Sequence, residues 1–288
     1  MSSLPVALPP LDPDHHALLA DAVGILEQPT FVARLADYAG QPVNSLVRFL
    51  PRRVSDRLRD AVRTAIFGCL EAALESLEGD DAPASNWTAK FLAGISGGVG
   101  GFFGLYALPI ELPLTTTLML RAIVEIAREE GEDLSGIEGR LACIEVFALG
   151  GRDLKDKGAF GVDYYATRLV LTKLSTEVAC LLMERGALNA SSPIVARLLG
   201  EIVARFGLVV TDRAAMSAVP VIGAVGGGAV NMIFMDHFQR VARGHFTIRR
   251  LERRYGVGVV QTHYHEIARD LAEARRNRPL LRRVLSLS

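Results

Sequence analysis

The sequence predicts an all-α fold, a multi-helix bundle with two central glycine-rich apolar helical segments. Three observations carry that expectation. Apolar residues recur every three or four positions through nearly every segment of the 288 residues, no stretch of period-two alternation is long enough to build a sheet, and two long runs are almost free of charge and rich in glycine. Half of the residues are hydrophobic, 22% are charged, and mean hydropathy is +0.26. Such a chain is neither disordered nor collagen-like, and it is long enough to bury a core without disulfide or metal staples.

Taken in order, Pro5, Pro9, Pro10 and Pro13 are expected to keep the start extended, and residues 1–11 read as a segment outside the domain. Asp14 to Gln28 carries Leu18, Leu19, Ala22, Val23 and Leu26 at helical spacing and is ended by Pro29; Thr30 caps a second, short helix to Tyr38. A long amphipathic helix follows from Arg52 to Leu77, with Val54, Leu58, Val62, Ile66, Cys69 and Leu70 opposite Arg52, Arg59, Arg63 and Glu71. Gly79-Asp-Asp-Ala-Pro ends it. Further helices span Val162 to Arg185, Pro193 to about Val210, and Val257 to Arg276. One all-α domain over residues 12–276 is expected, followed by a basic tail, 277–288, broken by Pro279.

Between Lys90 and Arg121 the only charge is Glu111, and Pro109 and Pro113 are expected to break that run near its middle. Between Arg213 and Asp236 there is no charge at all. An exposed helical glycine costs about 1 kcal/mol relative to alanine, so glycines this frequent need packing to offset them. Gly97 and Gly101 fall four apart, as do Gly223 and Gly227, the small-xxx-small spacing by which helix backbones touch in bilayers or in tight cores. Both settings satisfy the pattern: a buried helix pair in a bundle, or a shallow hairpin in a bilayer, since 22 residues reach ~33 Å against a hydrocarbon core of ~30 Å.

The segments Ala93-Gly-Ile-Ser-Gly-Gly-Val-Gly-Gly, Leu108-Pro-Ile-Glu-Leu-Pro-Leu-Thr-Thr-Thr, Arg140-Leu-Ala-Cys-Ile-Glu-Val-Phe-Ala-Leu-Gly-Gly and Pro220-Val-Ile-Gly-Ala-Val-Gly-Gly-Gly-Ala-Val-Asn resemble the bacterial EcsC protein family, and Arg249-Arg-Leu-Glu-Arg-Arg-Tyr-Gly is similar to its closing motif. The resemblance covers about residues 40–270. It implies an all-α fold and a bacterial cell, and it implies no particular reaction.

Candidate chemistry is sparse. Glu111 is placed at a helix start after Pro109, Thr115 one turn on, and Arg121 with Glu125 forms an i,i+4 pair. Glu145 is the only charge between Arg140 and Arg152, inside an apolar face, so it needs a partner. Arg121 is the expected one, with Asn231 and Asp236 joining the cluster. The sequence holds no nucleophile elbow, Walker loop or HExxH motif, and no metal or cofactor is expected; His263 and His265 are two apart and point to different sides of a helix. Cys69, Cys143 and Cys180 lie in apolar runs without CxxC spacing and are expected to be buried, reduced thiols.

Charge is lopsided. From His237 to Ser288 there are twelve Arg and four acids, and the first 236 residues carry the balancing excess of acid. Phe238, Val241, Ala242, Phe246 and Leu251 form an apolar stripe flanked by Arg240, Arg243, Arg249, Arg250, Arg253 and Arg254, which suits an anionic membrane surface. With no Lys or Arg before Arg34 there is no basic region of a secretory signal, so a peripheral or shallowly inserted position on the cytoplasmic side of the inner membrane is expected. The expected role is a membrane-associated interaction or lipid-binding module, with a protein partner at the membrane second and nucleic acid last. The alternative is a hydrolase acting on a lipid or peptide through the Glu111, Arg121, Glu145, Asp236 constellation.

Overall fold

The computed structural model describes residues 11–27, 31, 52–75, 104–151, 162–185, 192–217 and 220–285. All the regular structure among them is helical: α1 (Pro13–Leu26), α2 (Arg52–Glu75), α3 (Gly104–Glu129), α4 (Ile137–Leu149), α5 (Val162–Arg185), α6 (Pro193–Ser217), α7 (Pro220–Tyr255) and α8 (Val257–Leu285). Of the expected helix from Thr30 to Tyr38 only Phe31, helical and buried, is described, and the first glycine-rich run with Gly97 and Gly101 lies outside the described residues.

The bundle is organised around α4. From Leu141 to Leu149 every residue of this short helix is buried, and α2, α3, α5, α6 and α7 all pack on it. A helix apolar on all sides can be stable only at such a centre. Its C-terminal end is closed by neighbours: His237 Nε2 on α7 hydrogen-bonds the Gly150 carbonyl at 2.9 Å, and Gly150 and Gly151 face the Phe238 ring and the Arg205 backbone too closely to admit a Cβ. Phe147, Phe206, Phe234 and Phe238 meet there with ring centroids 5.1 to 6.1 Å apart. α1 starts on Asp12, whose carboxylate accepts from the Asp14 N–H, and packs on α7 and α8.

Several boundaries differ from the sequence expectation, each for a local reason. Pro109 and Pro113 do not break their segment; both lie inside α3, and Glu111 stands two turns in rather than at a helix start. The hydroxyls of Thr115, Thr116 and Thr117 there donate to the carbonyls of Glu111, Leu112 and Pro113. α6 runs to Ser217 and α7 begins at Pro220, so the second uncharged run is divided between two helices. Gly223 and Gly227 lie in the first turns of α7. α8 continues through Pro279 to Leu285, where a broken tail was expected. Among the described residues, no helix is long and apolar enough to cross a membrane. Cys69 and Cys143 are buried, and burial pushes both thiols up to about 12, whereas Cys180 is exposed on α5.

Two turns need glycine. Gly131 (φ 70°) closes α3 with its N–H on the Arg128 carbonyl while the Glu132 N–H reaches Ala127, and Gly256 (φ 87°) separates α7 from α8. Both backbones are left-handed, a region that glycine enters without the Cβ penalty. The first of these turns fixes where Glu132 points.

Candidate functional site

The expected single cluster does not form. Arg121 pairs with Glu125 at 3.5 Å, both side chains 59% exposed, so Arg121 is on the surface and is not the partner of Glu145. Glu111 lies 3.6 Å from Arg213, whose buried guanidinium also stacks over the Phe234 ring at 4.8 Å; burial pushes Arg213 below its ordinary value, and Glu111 opposes that. Thr115 is buried, with its hydroxyl on the Glu111 carbonyl. Asn231 keeps a buried Oδ1 without a hydrogen bond among the described residues, and Asp236 is exposed on α7. Spacing along one helix was read correctly, but which helices face each other was not available from spacing.

The polar groups that do converge sit where α4, α5, α7 and α8 meet. Glu145 on α4 is 3% exposed and accepts from Ser175 Oγ on α5 at 2.6 Å. Burial raises its carboxyl above the ordinary value; the Ser175 hydrogen bond and the charges of Arg249 and Arg168 only partly offset that. Two turns toward the start of α5, Arg168 binds Glu252 on α7 through both terminal guanidinium nitrogens at 2.7 and 2.6 Å, and Tyr165 donates to the same carboxylate at 3.0 Å. Tyr164 and His245 Nδ1 are hydrogen-bonded at 2.9 Å, and Tyr264 of α8 stacks on Tyr164 with centroids 5.4 Å apart. His245 is fully buried with Nε2 unpartnered among the described residues; burial, then the charges of Arg168 and Arg249, hold it well below its ordinary value, so the ring is neutral.

The Arg-rich end of α7 is drawn into the same system. Arg249 and Arg253 both bind Glu132 at the α3 to α4 turn, Arg249 Nε at 3.0 Å, and Arg250 pairs with Glu130 at 3.0 Å. Burial works to raise the Glu132 carboxyl, but the hydrogen bonds and charges of Arg249 and Arg253 outweigh it and hold it below its ordinary value. These three arginines, expected at a membrane surface, are engaged by two acidic side chains, and the side chains of Arg250 and Arg253 stay 40% and 42% exposed. Arg243 and Arg254 are exposed, the latter over the Tyr255 ring at 5.8 Å, and Arg240 is half-buried.

Tyr164, Arg168 and Ser175 fall at i, i+4 and i+11 along the apolar stripe of α5, and His245, Arg249 and Glu252 at i, i+4 and i+7 along that of α7. Polar residues interrupting an apolar stripe were the available signal. The arrangement locks helices together through charge-assisted bonds. Its two carboxylates, Glu145 and Glu252, are enclosed at 3% and 7% exposure, so a substrate cannot reach them without helix displacement. Among the described residues, no group of three or more His, Cys, Asp and Glu side chains is placed to hold a metal ion; His263 pairs instead with Glu266 at 3.3 Å.

No curated protein and no solved structure matches the chain. A family model does, over residues 27–251, from the end of α1 to the Arg-rich end of α7. That span takes in α4, the Glu145–Ser175 pair, Arg168 and the Glu132 turn, ending one residue before Glu252, and by it the chain belongs to the EcsC protein family.

Proposed function

We propose that this protein is a helical interaction module that docks peripherally on an anionic membrane surface through the basic end of α8. The observation that carries this is the distribution of Arg along the chain. Arg249, Arg250 and Arg253 bind Glu130 and Glu132. From Ala274 onward the chain carries Arg275, Arg276, Arg278, Arg282 and Arg283 and no acidic residue, on a helix that runs to Leu285. At 3.6 residues per turn those five positions fall on one arc of α8, and Leu280, Leu281, Val284 and Leu285 fall on the opposite arc. A basic amphipathic helix of this kind lies in the interface plane, and each Arg near an anionic surface adds about 1 kcal/mol. The cytoplasmic leaflet of the inner membrane is the surface proposed. The enclosure of Glu145 and Glu252 favours a scaffold over a hydrolase.

Vesicle co-sedimentation tests this. The parent should bind anionic vesicles, release them as salt rises, and ignore neutral ones. Changing Arg275, Arg276, Arg278, Arg282 and Arg283 to Gln should abolish binding at an unchanged melting temperature. Changing Arg249, Arg250 and Arg253 to Gln should lower the melting temperature instead. Equal binding to neutral and anionic vesicles would overturn the proposal.

A further inference from the structure

We infer that the outer face of α5 is a self-association surface, on which a second copy of this chain packs its own α5 antiparallel about a two-fold axis. α5 lies at the side of the bundle, packed on α4 and α6, with Leu171, Leu174 and Val178 buried on its inner side. A helix so placed is expected to turn a polar face outward, as α2 does with Arg59, Asp60 and Arg63. α5 does not: Leu169 and Met183 are 72% and 73% exposed. They belong to an exposed line, Ala166, Leu169, Lys173, Thr176, Cys180 and Met183, that runs opposite the buried side. Its steps alternate between three and four residues, the spacing of a coiled-coil seam, so the line can face one partner helix along about 26 Å.

Shape and charge select the same segment of a second copy as that partner. One antiparallel register uses all six positions: Ala166 faces the partner's Met183, Leu169 the partner's Cys180, and Lys173 the partner's Thr176, with the smallest side chain against the longest apolar one in the outer layers. A parallel pair would set Lys173 against its own copy. In the antiparallel register Lys173 lies beside the partner's Glu177, and the two-fold axis forms that pair twice. Glu177 is available for it, since its carboxylate is part-exposed and lies 3.8 Å from Arg197, itself exposed. Glu177 and Glu184 border the seam along one side, and that acidic edge disfavours an anionic bilayer as its cover.

This inference does not rest on the docking of α8, and every variant that tests it keeps the arginines of that helix. Sedimentation equilibrium of the full chain from about 1 to 200 µM should show a reversible monomer–dimer equilibrium. Leu169→Glu combined with Met183→Glu should weaken the dimer at least about tenfold, because each carboxylate would be buried unpaired. The same variant should melt like the parent at concentrations where both are monomeric, since the two side chains are exposed. Leu169→Cys, incubated with oxidised glutathione, should form a disulfide with the partner's Cys180. Within one chain these two positions lie about 16 Å apart along the helix, beyond the ~5.5 Å between Cα atoms that a disulfide spans. Leu169→Cys with Cys180→Ser should not cross-link, and neither should the parent. Three results would overturn the inference: a chain monomeric throughout that range, a dimer unchanged by the two glutamates, or a parent cross-linked through Cys180 alone, which would make the helices parallel. A monomeric parent whose binding to neutral vesicles is lost on Leu169→Glu would give the face to a bilayer and would overturn it as well.

Discussion

Ser175 on α5 donates its hydroxyl to Glu145 on α4 at 2.6 Å, and both side chains are buried. This contact joins the central helix to its neighbour, and it replaces the surface arginine that sequence spacing had suggested as the partner.

The native Glu145 carboxyl sits above its ordinary value near 4.5, chiefly because of burial. The folded state therefore holds this proton more tightly than the unfolded chain, and stability falls as pH rises from that ordinary value through the folded one. Glu145→Gln keeps an acceptor for Ser175 without the charge. It should melt at or above the parent at about pH 8, with the advantage shrinking toward about pH 5. Glu145→Ala leaves a cavity and an unpaired hydroxyl and should cost about 2–4 kcal/mol. Double-mutant cycles by urea unfolding should show coupling with Ser175→Ala and additivity with Arg121→Ala.

Glu132 runs the opposite way. Although burial acts against it, Arg249 and Arg253 hold its carboxyl below the ordinary value near 4.5. Their stabilisation is complete above that value and is lost as pH falls through the folded one. Glu132→Gln should cost about 2–4 kcal/mol at neutral pH by leaving the half-buried Arg249 uncompensated. The curves of parent and variant should converge in acid. A gap that persists at about pH 3 would show that the pairing is not what Glu132 contributes.

How much of this was legible in the sequence follows from what periodicity encodes. Val162–Arg185 was read to the residue because its apolar spacing is unbroken and masked by nothing local. The prolines misled at α3, where neighbouring helices hold the segment helical through Pro109 and Pro113. Glu145 was picked out as needing a partner, since a lone charge in an apolar run is a one-helix signal. Its partner was not, because α4 meets five other helices and the choice of Ser175 depends on how α5 is rotated against it. The Arg249 and Arg253 clamp was hidden for the same reason: Glu132 is more than a hundred residues away in the chain, and only the left-handed turn at Gly131 brings it under α7.

His245 gives the next expectation. Its ring is fully buried and held neutral by burial and by the charges of Arg168 and Arg249. Its folded value lies well below the ordinary 6.5, so the unfolded chain takes up the proton first, and stability drops as pH falls below about 6.5 toward the folded value. Thermal melts from about pH 7.5 to 5 should show this loss. In a His245→Phe, Tyr164→Phe double variant, which removes the hydrogen-bonded pair together, the loss should be smaller over the same range. A slope identical to the parent's would assign the acid sensitivity to other groups.

The last expectation separates two kinds of helix-end and helix-interior glycine. A Cβ at Gly151 would run into the Arg205 backbone carbonyl, and one at Gly139 into that of Asp133, so neither obstacle is a side chain that can turn aside. Alanine at either position must displace a helix or a turn. Because Gly151 lies just past the buried Leu141–Leu149 stretch of α4, the displacement spreads into its packing on α6, and Gly151→Ala should cost more than about 3 kcal/mol. Gly68 lies inside α2 with open space where its Cβ would be. There alanine only restricts the unfolded chain and improves helix propensity, so Gly68→Ala should gain up to about 1 kcal/mol. Melting both variants beside the parent decides the matter: a neutral Gly151→Ala would mean that α4 and α6 do not approach as closely as the structure places them.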